Sequence, residues 1–524
     1  MAFGYYEQML ALLLFICCLA LFTDRLVAQR KNRHVMNAST SDMVSESRKS
    51  GVSSISAVLM KKYLVVYAIV MGADWLQGPY LFSLYREQYR FEERVVALLF
   101  VTGFVSAGVF APLVGVLADQ HGRRQLCLVF CITYTTTCAL MTIHSLPVLL
   151  FGRLLGGAST SILFSAFESW LISASNSASL PVSDLSTIMG RATLVNGFVA
   201  ATAGVVSNQL VEVTGGNFVS PFMASGMLLM VGWAVIRATW TENYGAVRAS
   251  TTERDVFQVK RLGQAWKIVR KGFGLDVRLV VLGWTQTCFE GSMYLFVFLW
   301  VPLLQESSEI PGNLPLGLIF SSFMVSMMLG SLFYTFIISG TSNRTEGGSS
   351  RQSQVKDRNS PTPPPSETSN IKPSASPQKH LSSLRLHAKL SSIICLTSAL
   401  GLSSSILSPS SHFRFFSFCL FEACVGMYYP VQGTLRGMLI ANEHRATLSS
   451  LFRVPLNVFV VVSLLTGVSA ARHVVLSVCA VLLVSSSVVT AFVTVEQTGE
   501  RSPLIVPSSR SSGNHQAVHK SCVF

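Results

Sequence analysis

The sequence predicts an all-α polytopic membrane protein, and three observations carry that expectation. Charged residues fill only 13% of 524 positions, while 50% are hydrophobic; an ordinary soluble domain carries roughly 25% charge. So few charges cannot coat several water-soluble domains. The apolar residues come in long blocks, such as Tyr63–Leu84 and Val474–Val495, and a bilayer-spanning helix needs about 20 mainly apolar residues. Lys and Arg concentrate between particular blocks, as they do in cytoplasmic loops.

Thirteen spans are expected. They are Met9–Val27 (α1), Tyr63–Leu84 (α2), Val95–Ala118 (α3), Leu126–Ile143 (α4), Val148–Ala174 (α5), Ile188–Val213 (α6) and Pro221–Thr239 (α7). After a long polar stretch come Leu279–Leu303 (α8), Leu316–Ile338 (α9), Leu390–Leu407 (α10), Phe413–Gly437 (α11), Leu448–Ser469 (α12) and Val474–Val495 (α13). The stretches Arg25–Lys62, Arg248–Arg278 and Arg344–Arg385 carry eight, eight and seven Lys/Arg, whereas Ser145–Pro147, Thr214–Ser220 and Gln305–Pro315 carry none. With the basic stretches inside, the N-terminus lies outside and the C-terminal tail in the cytoplasm. Glu7 precedes α1 and the basic residues follow it, which favours a retained anchor over a cleaved signal.

The expected organisation is an extra N-terminal transmembrane helix (1–28), a basic cytoplasmic linker (29–61), a six-helix half (62–239), a central cytoplasmic loop (240–278) and a second six-helix half (279–495). A Ser/Pro-rich insertion (339–386) and the tail (496–524) read as disordered. The net charge of +14 is explained by cytoplasmic loops and calls for no nucleic acid. Most of the eleven cysteines sit inside apolar blocks, without a C-x-x-C pair, and read as small buried hydrophobes. No P-loop, H-E-x-x-H, nucleophile elbow or metal-ligand His cluster is present, so neither an enzyme, a cofactor nor a metal is expected.

Between α3 and α4 stands Gly115-Val-Leu-Ala-Asp119-Gln-His-Gly122-Arg123-Arg124. Gly122 suits a tight turn, Arg123 and Arg124 suit anionic headgroups, and Asp119 suits capping and pairing at a helix end. This stretch resembles the signature G-x-L-x-D-x-x-G-R-[KR] of the major facilitator superfamily, matched at all six fixed positions. The resemblance implies a 6+6 helical bundle, here with one extra N-terminal helix, and a gating role in which Asp119 locks a helix interface in one state.

Ionisable groups inside a bilayer are costly and mark function by default. Here they are Asp74, Arg153, Glu168, Arg191, Glu290, Glu422 and Arg453. Asp74 and Glu290 sit on α2 and α8, Glu168 and Glu422 on α5 and α11, and Arg191 and Arg453 on α6 and α12. All three pairs fall on helices that would be equivalent in a 6+6 repeat. Arg153 and Glu168 are fifteen residues apart, about 22 Å along one helix, and cannot pair. Glu168 is level with Arg191, so an ion pair at the cytoplasmic gate is expected, with Arg453 at similar depth. Asp74, Arg153, Glu290 and Glu422 lie nearer the middle or outer half and are candidates for a ligand or proton site.

Further stretches narrow the resemblance: Ala73-Asp-Trp-Leu-Gln-Gly-Pro-Tyr80, Gly152-Arg-Leu-Leu-Gly-Gly157, Leu163-Phe-Ser-Ala-Phe-Glu-Ser-Trp170, Trp240-Thr-Glu-Asn-Tyr244 and Leu451-Phe-Arg-Val-Pro455. They resemble the molybdate-anion transporter family (major facilitator superfamily domain-containing protein 5), from which the long insertion between α9 and α10 departs. The resemblance implies secondary active import of molybdate by a multi-pass protein of the plasma membrane. A tetrahedral dianion needs cations and many hydrogen-bond donors, which Arg153, Trp75, Gln77, Tyr80 and Asn196 can supply. Acids at mid-membrane would repel a dianion unless protonated, so protons are the natural coupling partner, through Asp74, Glu290 or Glu422. The remaining partners expected are membrane lipids. Spacing alone leaves open another small solute, neutral or cationic, and a non-transporting membrane receptor or scaffold.

Overall fold

The computed structural model describes residues 4–38, 46–243, 277–306, 314–356, 377–408, 410–440, 445–466 and 471–496. Among the described residues thirteen long helices stand on the thirteen apolar blocks: α1 Tyr5–Ala38, α2 Glu46–Gln77, α3 Glu93–His121, α4 Arg123–Leu140, α5 Leu146–Ser177, α6 Val182–Val213, α7 Ser220–Thr239, α8 Val277–Glu306, α9 Leu316–Lys356, α10 Pro377–Leu407, α11 Ser411–Leu439, α12 Arg445–Thr466 and α13 Arg472–Thr490. Among the described residues, ten segments are long and apolar enough to cross a bilayer unaided; α12 contributes a shorter apolar stretch, Phe452–Thr466. The helices α4 and α11 fall below that measure because of their polar content: Arg123, Arg124 and Gln125 at the start of one, Arg414, Glu422, Gln432 and Arg436 in the other.

Local chemistry sets several boundaries. Pro147 and Pro221 stand in the first turns of α5 and α7, where the missing N–H costs nothing and the fixed φ suits a helix. Gly78-Pro79 ends α2, and the chain continues through a 3₁₀ turn at Gly78–Tyr80 and a π turn at Leu84–Gln88. Pro79 has no N–H to give to the preceding turn. The break carries Tyr80 toward α6.

Packing reveals an internal repeat. In the first half α2 packs on α6 and α7, α4 on α5 and α7, and α3 on α5. In the second half α8 packs on α12 and α13, α10 on α11 and α13, and α9 on α11. Each pair has its counterpart six helices on, and even the close approaches match. A side chain at Gly157 of α5 would collide with the Gly103 carbonyl of α3; one at Gly426 of α11 would collide with the Met327 carbonyl of α9. Small residues at such crossings let backbones meet in a membrane bundle. The halves meet through α6 on α9 and α3 on α12, and α1 lies along α9.

The buried apolar side chains form two clusters. One runs through the second half and across to Tyr80, Phe82, Tyr85, Phe100 and Ala200 of the first. The other, from Tyr63 and Val66 to Trp170 and Trp240, belongs to the first half alone. It lies toward the end bearing Lys62, Arg123 and Arg124, the basic end. The shared core therefore lies toward the opposite end. There Phe298 meets Phe82 and Phe100 edge-on at 5.4 and 5.0 Å, and Arg472 of α13 holds Glu93 of α3 through contacts of 3.0 and 2.6 Å. Arg472 also reaches Glu306, and Gln305 donates to Glu87.

The insertion requires a correction. Expected to be disordered over 339–386, it is helical at both flanks, since α9 continues to Lys356 and α10 begins at Pro377. Extending a formed helix costs far less than nucleating one, and no proline intervenes before Pro361. Residues 357–376, like the central loop from 244 to 276 and the tail from 497, lie outside the described residues.

Candidate functional site

The signature turn is clasped by the chain that leaves α7. Gly122 takes φ +98°, and a Cβ there would stand 2.6 Å from the Glu242 carboxyl carbon. Glu242 accepts from the backbone N–H of Arg124 at 2.9 Å and of Gln125 at 3.0 Å. Its charge thus sits on the N-terminus of α4, where orphan N–H groups and the helix dipole favour an anion. Trp170 stacks on Trp240 at 3.7 Å and donates to the Thr241 carbonyl, while Asn243 donates to the Trp170 carbonyl. Arg123 donates to the Ser169 carbonyl and Arg124 to the Arg237 carbonyl. Sequence reading assigned these arginines to headgroups. In the structure their guanidinium groups hold the C-terminal ends of α5 and α7, and Glu242 takes the capping role foreseen for Asp119. The Asp119 backbone ends α3, and its side chain lies outside the described residues. A cavity of about 510 Å³ opens beside the clasp, lined by Leu59, Lys62, Trp170, Ala174 and Glu242 among others. Lys62 is twelve residues from Asp74, about 18 Å along α2, so this cavity is separate from the mid-span acids.

Among those acids, Asp74 accepts a 2.6 Å hydrogen bond from the Tyr134 hydroxyl of α4. Next to it Trp75 donates to Asn196 of α6 at 2.8 Å, and its ring leans on Phe320 of the second half at 5.8 Å. The structure thus brings Asp74, Trp75 and Asn196 into one region, with Tyr134 added. Gln77 is elsewhere, buried and bonded to Ser225 of α7 and to the Ala73 carbonyl. Tyr80 is buried against Asn208, which in turn donates to Glu212. Arg153 donates to the Leu99 carbonyl at 3.2 Å, with its guanidinium carbon 5.7 Å from the centre of the Phe100 ring and its Nη2 against Gly103. It fills the α3–α5 crossing, and its charge reaches Tyr134.

The second half holds a different arrangement. Glu290 is buried and meets Arg436 of α11 at 3.3 Å. It also accepts from Gln286 at 3.2 Å and from the Tyr428 hydroxyl at 3.3 Å. The Tyr428 ring stacks flat on Phe289 at 3.9 Å. Arg453 is exposed on α12, and its charge acts on Glu290. Glu422 is buried higher on α11. Three buried atoms of this cluster, Gln286 Oε1, Gln432 Oε1 and Arg436 Nε, have no hydrogen-bond partner among the described residues. Sequence reading missed Tyr428, Gln432 and Arg436. Their spacing of four, on one face of α11 beside the i, i+4 pair Gln286 and Glu290, was the available signal.

The expected gate pair does not form. Glu168 is exposed, and Arg191 turns to the Met60 sulfur at 2.9 Å. An ion pair that does join the halves, Glu93 with Arg472, stands at the other end and was not foreseen.

Comparison with known proteins gives this geometry a family. A family model described as sugar transporters with 12 transmembrane segments matches residues 40–347. The molybdate-anion transporter of Takifugu rubripes is 30% identical over 429 residues, covering 77% of this chain and 78% of that one. Its counterpart in Xenopus tropicalis is 31% identical over 459 residues, covering 86% and 88%. Among solved structures, the nucleoside transporter NupG aligns with a TM-score of 0.56 at 10% identity, over 83% of this chain and 98% of its own. The POT family transporter PepTSo aligns at 0.59 and 11% identity, over 84% and 99%. At such identities the two structures speak for the fold alone. The helical repeat, the signature turn and the sequence relatives together make this chain a transporter of the major facilitator superfamily, belonging to the molybdate-anion transporter family.

Proposed function

We propose that the protein imports an inorganic oxyanion, molybdate, as a secondary active transporter working by alternating access. The carrying observation is that the first acid of each half, on the equivalent helices α2 and α8, is held by a proton-bearing partner from a neighbouring helix: Asp74 by Tyr134 of α4, and Glu290 by Arg436 of α11. A carrier needs a polar centre whose bonds can be exchanged for bonds to its cargo, and buried charge without such exchange is hard to justify in a bilayer. The core that joins the halves lies away from the basic end. That supports a state closed at the Arg472 end and accessible from the other. With the basic stretches in the cytoplasm, this is the inward-facing state, the N-terminus is outside, and the membrane is the plasma membrane. Protons are the coupling partner.

The description of the matched family model favours a second reading, a sugar-like neutral solute. Trp75, Asn196 and Tyr134 would suit a hydroxylated ring. Uptake of radiolabelled molybdate into proteoliposomes, with sulfate, phosphate and sugars as competitors, separates the two. Molybdate accumulation suppressed by tungstate but not by sugars is expected. Sugar uptake without molybdate uptake would transfer the protein to the second reading.

A further inference from the structure

The second-half cluster contains a cation that its partner satisfies poorly. Arg436 meets Glu290 through a single 3.3 Å contact and keeps 22% of its side chain exposed. Its Nε is buried without a partner among the described residues. A guanidinium offers five donors in a fixed fork that matches the paired oxygens of an oxyanion, and a buried donor left unmade is costly. As a purely structural ion pair the arrangement is therefore incomplete. The orphaned Gln286 and Gln432 carbonyl oxygens beside it make the same point, since natively buried polar atoms are nearly all paired. A second cation, Arg453, is exposed on α12, the helix that packs on α8. Arg153, by contrast, is already bonded to a carbonyl and laid on Phe100.

We propose that Arg436, assisted by Arg453, is the oxyanion-binding cation of the transport site, and that Glu290 is the counter-ion that holds Arg436 in the empty carrier and releases it when protonated. The assignment rests on the oxyanion reading above and gives it a coupling step. A proton from the aqueous phase facing the open cavity neutralises Glu290. Arg436 then turns its fork to the dianion, and the proton stays on the Glu290 carboxyl until the anion leaves. Two arginines then face a charge of minus two, without a competing carboxylate. The groups around Glu290 fit this role. Tyr294 neighbours it on α8, Tyr428, Tyr429 and Arg436 come from α11, and Arg453 comes from α12. Glu422 stands nearer the start of α11, before Tyr428, and α13 meets α8 at Thr285 through the hydroxyls of Ser486 and Thr490.

The test is equilibrium binding of radiolabelled molybdate to the purified full-length protein across a range of pH. Wild-type binding should tighten as pH falls. Glu290→Gln should bind at alkaline pH as tightly as wild type does at acid pH, and its uptake should no longer respond to an imposed proton gradient. Arg436→Gln should weaken binding at least about tenfold, and Arg436→Lys should recover part of the loss. The double variant Glu290→Gln with Arg436→Gln keeps a neutral hydrogen-bonding pair; it should bind as weakly as Arg436→Gln and stands in for it if the single variant fails to fold. Wild-type affinity in folded Arg436→Gln or in the double variant, or an unchanged pH profile in Glu290→Gln, would overturn the assignment while leaving the transport reading intact. A wild-type protein that binds neither molybdate, tungstate nor sulfate would bring down both.

Discussion

The two halves share helix packing but reverse their charges. Four residues before the close-packed glycine of each crossing, α5 carries Arg153 and α11 carries Glu422; beyond it come Glu168 on α5 and Arg436 on α11, while Arg414 stands at the start of α11. The first acid of each half also differs in company, Asp74 beside a neutral phenol and Glu290 beside a guanidinium. Their connections differ as well. One glycine turn joins α3 to α4, whereas the corresponding link from α9 to α10 has grown by an insertion. Helix packing depends on small residues at crossings, which both halves retain. Charge depends on what each side of the cavity must bind, so the repeat preserves one and not the other.

The largest effect is expected where the first half has no slack. Gly122→Val places a β-branched residue at positive φ, with strain of about 1–3 kcal/mol, and drives it into Glu242, for a further ~1–3 kcal/mol of overpacking. Detergent-extracted yield and melting temperature should fall sharply, and Glu242→Ala in the same background should restore part of the loss. A well-folded Gly122→Val protein would mean that the clasp is dispensable.

A smaller effect is expected at Arg153. Its loss removes a charge-assisted hydrogen bond to the Leu99 carbonyl, about 1.5–3 kcal/mol, and the contact with Phe100. Arg153→Gln should therefore lower folded abundance while the surviving protein keeps wild-type molybdate affinity. If affinity collapses in well-folded Arg153→Gln protein, the anion site belongs to the first half and the contrast with Arg436 is inverted.

The smallest effect is expected from the insertion. Deleting Arg351–Gln378 removes a Ser/Pro-rich segment without apolar periodicity. Membrane yield and the rate of molybdate uptake should stay close to wild type. Loss of folded protein would show that the second half needs this link as the first half needs Gly122.

Much of the fold is legible in the sequence because membrane insertion is a local matter. About twenty apolar residues make a spanning helix whatever surrounds them, which accounts for ten of the thirteen long helices among the described residues, and Gly122 with its two arginines marks the turn. The elements of the candidate site were only half legible. Asp74 and Glu290 stood out as charges in apolar runs. Arg436 did not, because it sits near the end of α11 and reads as a boundary residue until that helix is packed on α8. Glu242 likewise reads as an ordinary polar residue after α7.

What the sequence alone determined, then, is the number of helices, their grouping six and six after the first, and the presence of costly charges within them. These follow from composition along one dimension, since hydrophobic burial and the cost of an intramembrane charge act on each segment by itself. Which charge meets which was decided only by tertiary structure. The pairings Glu290 with Arg436 and Glu93 with Arg472 join residues far apart in the chain, as does the seat of Glu242 on the N-terminus of α4. An ion pair needs contact within about 4 Å, and no local pattern supplies a distance that only packed helices create.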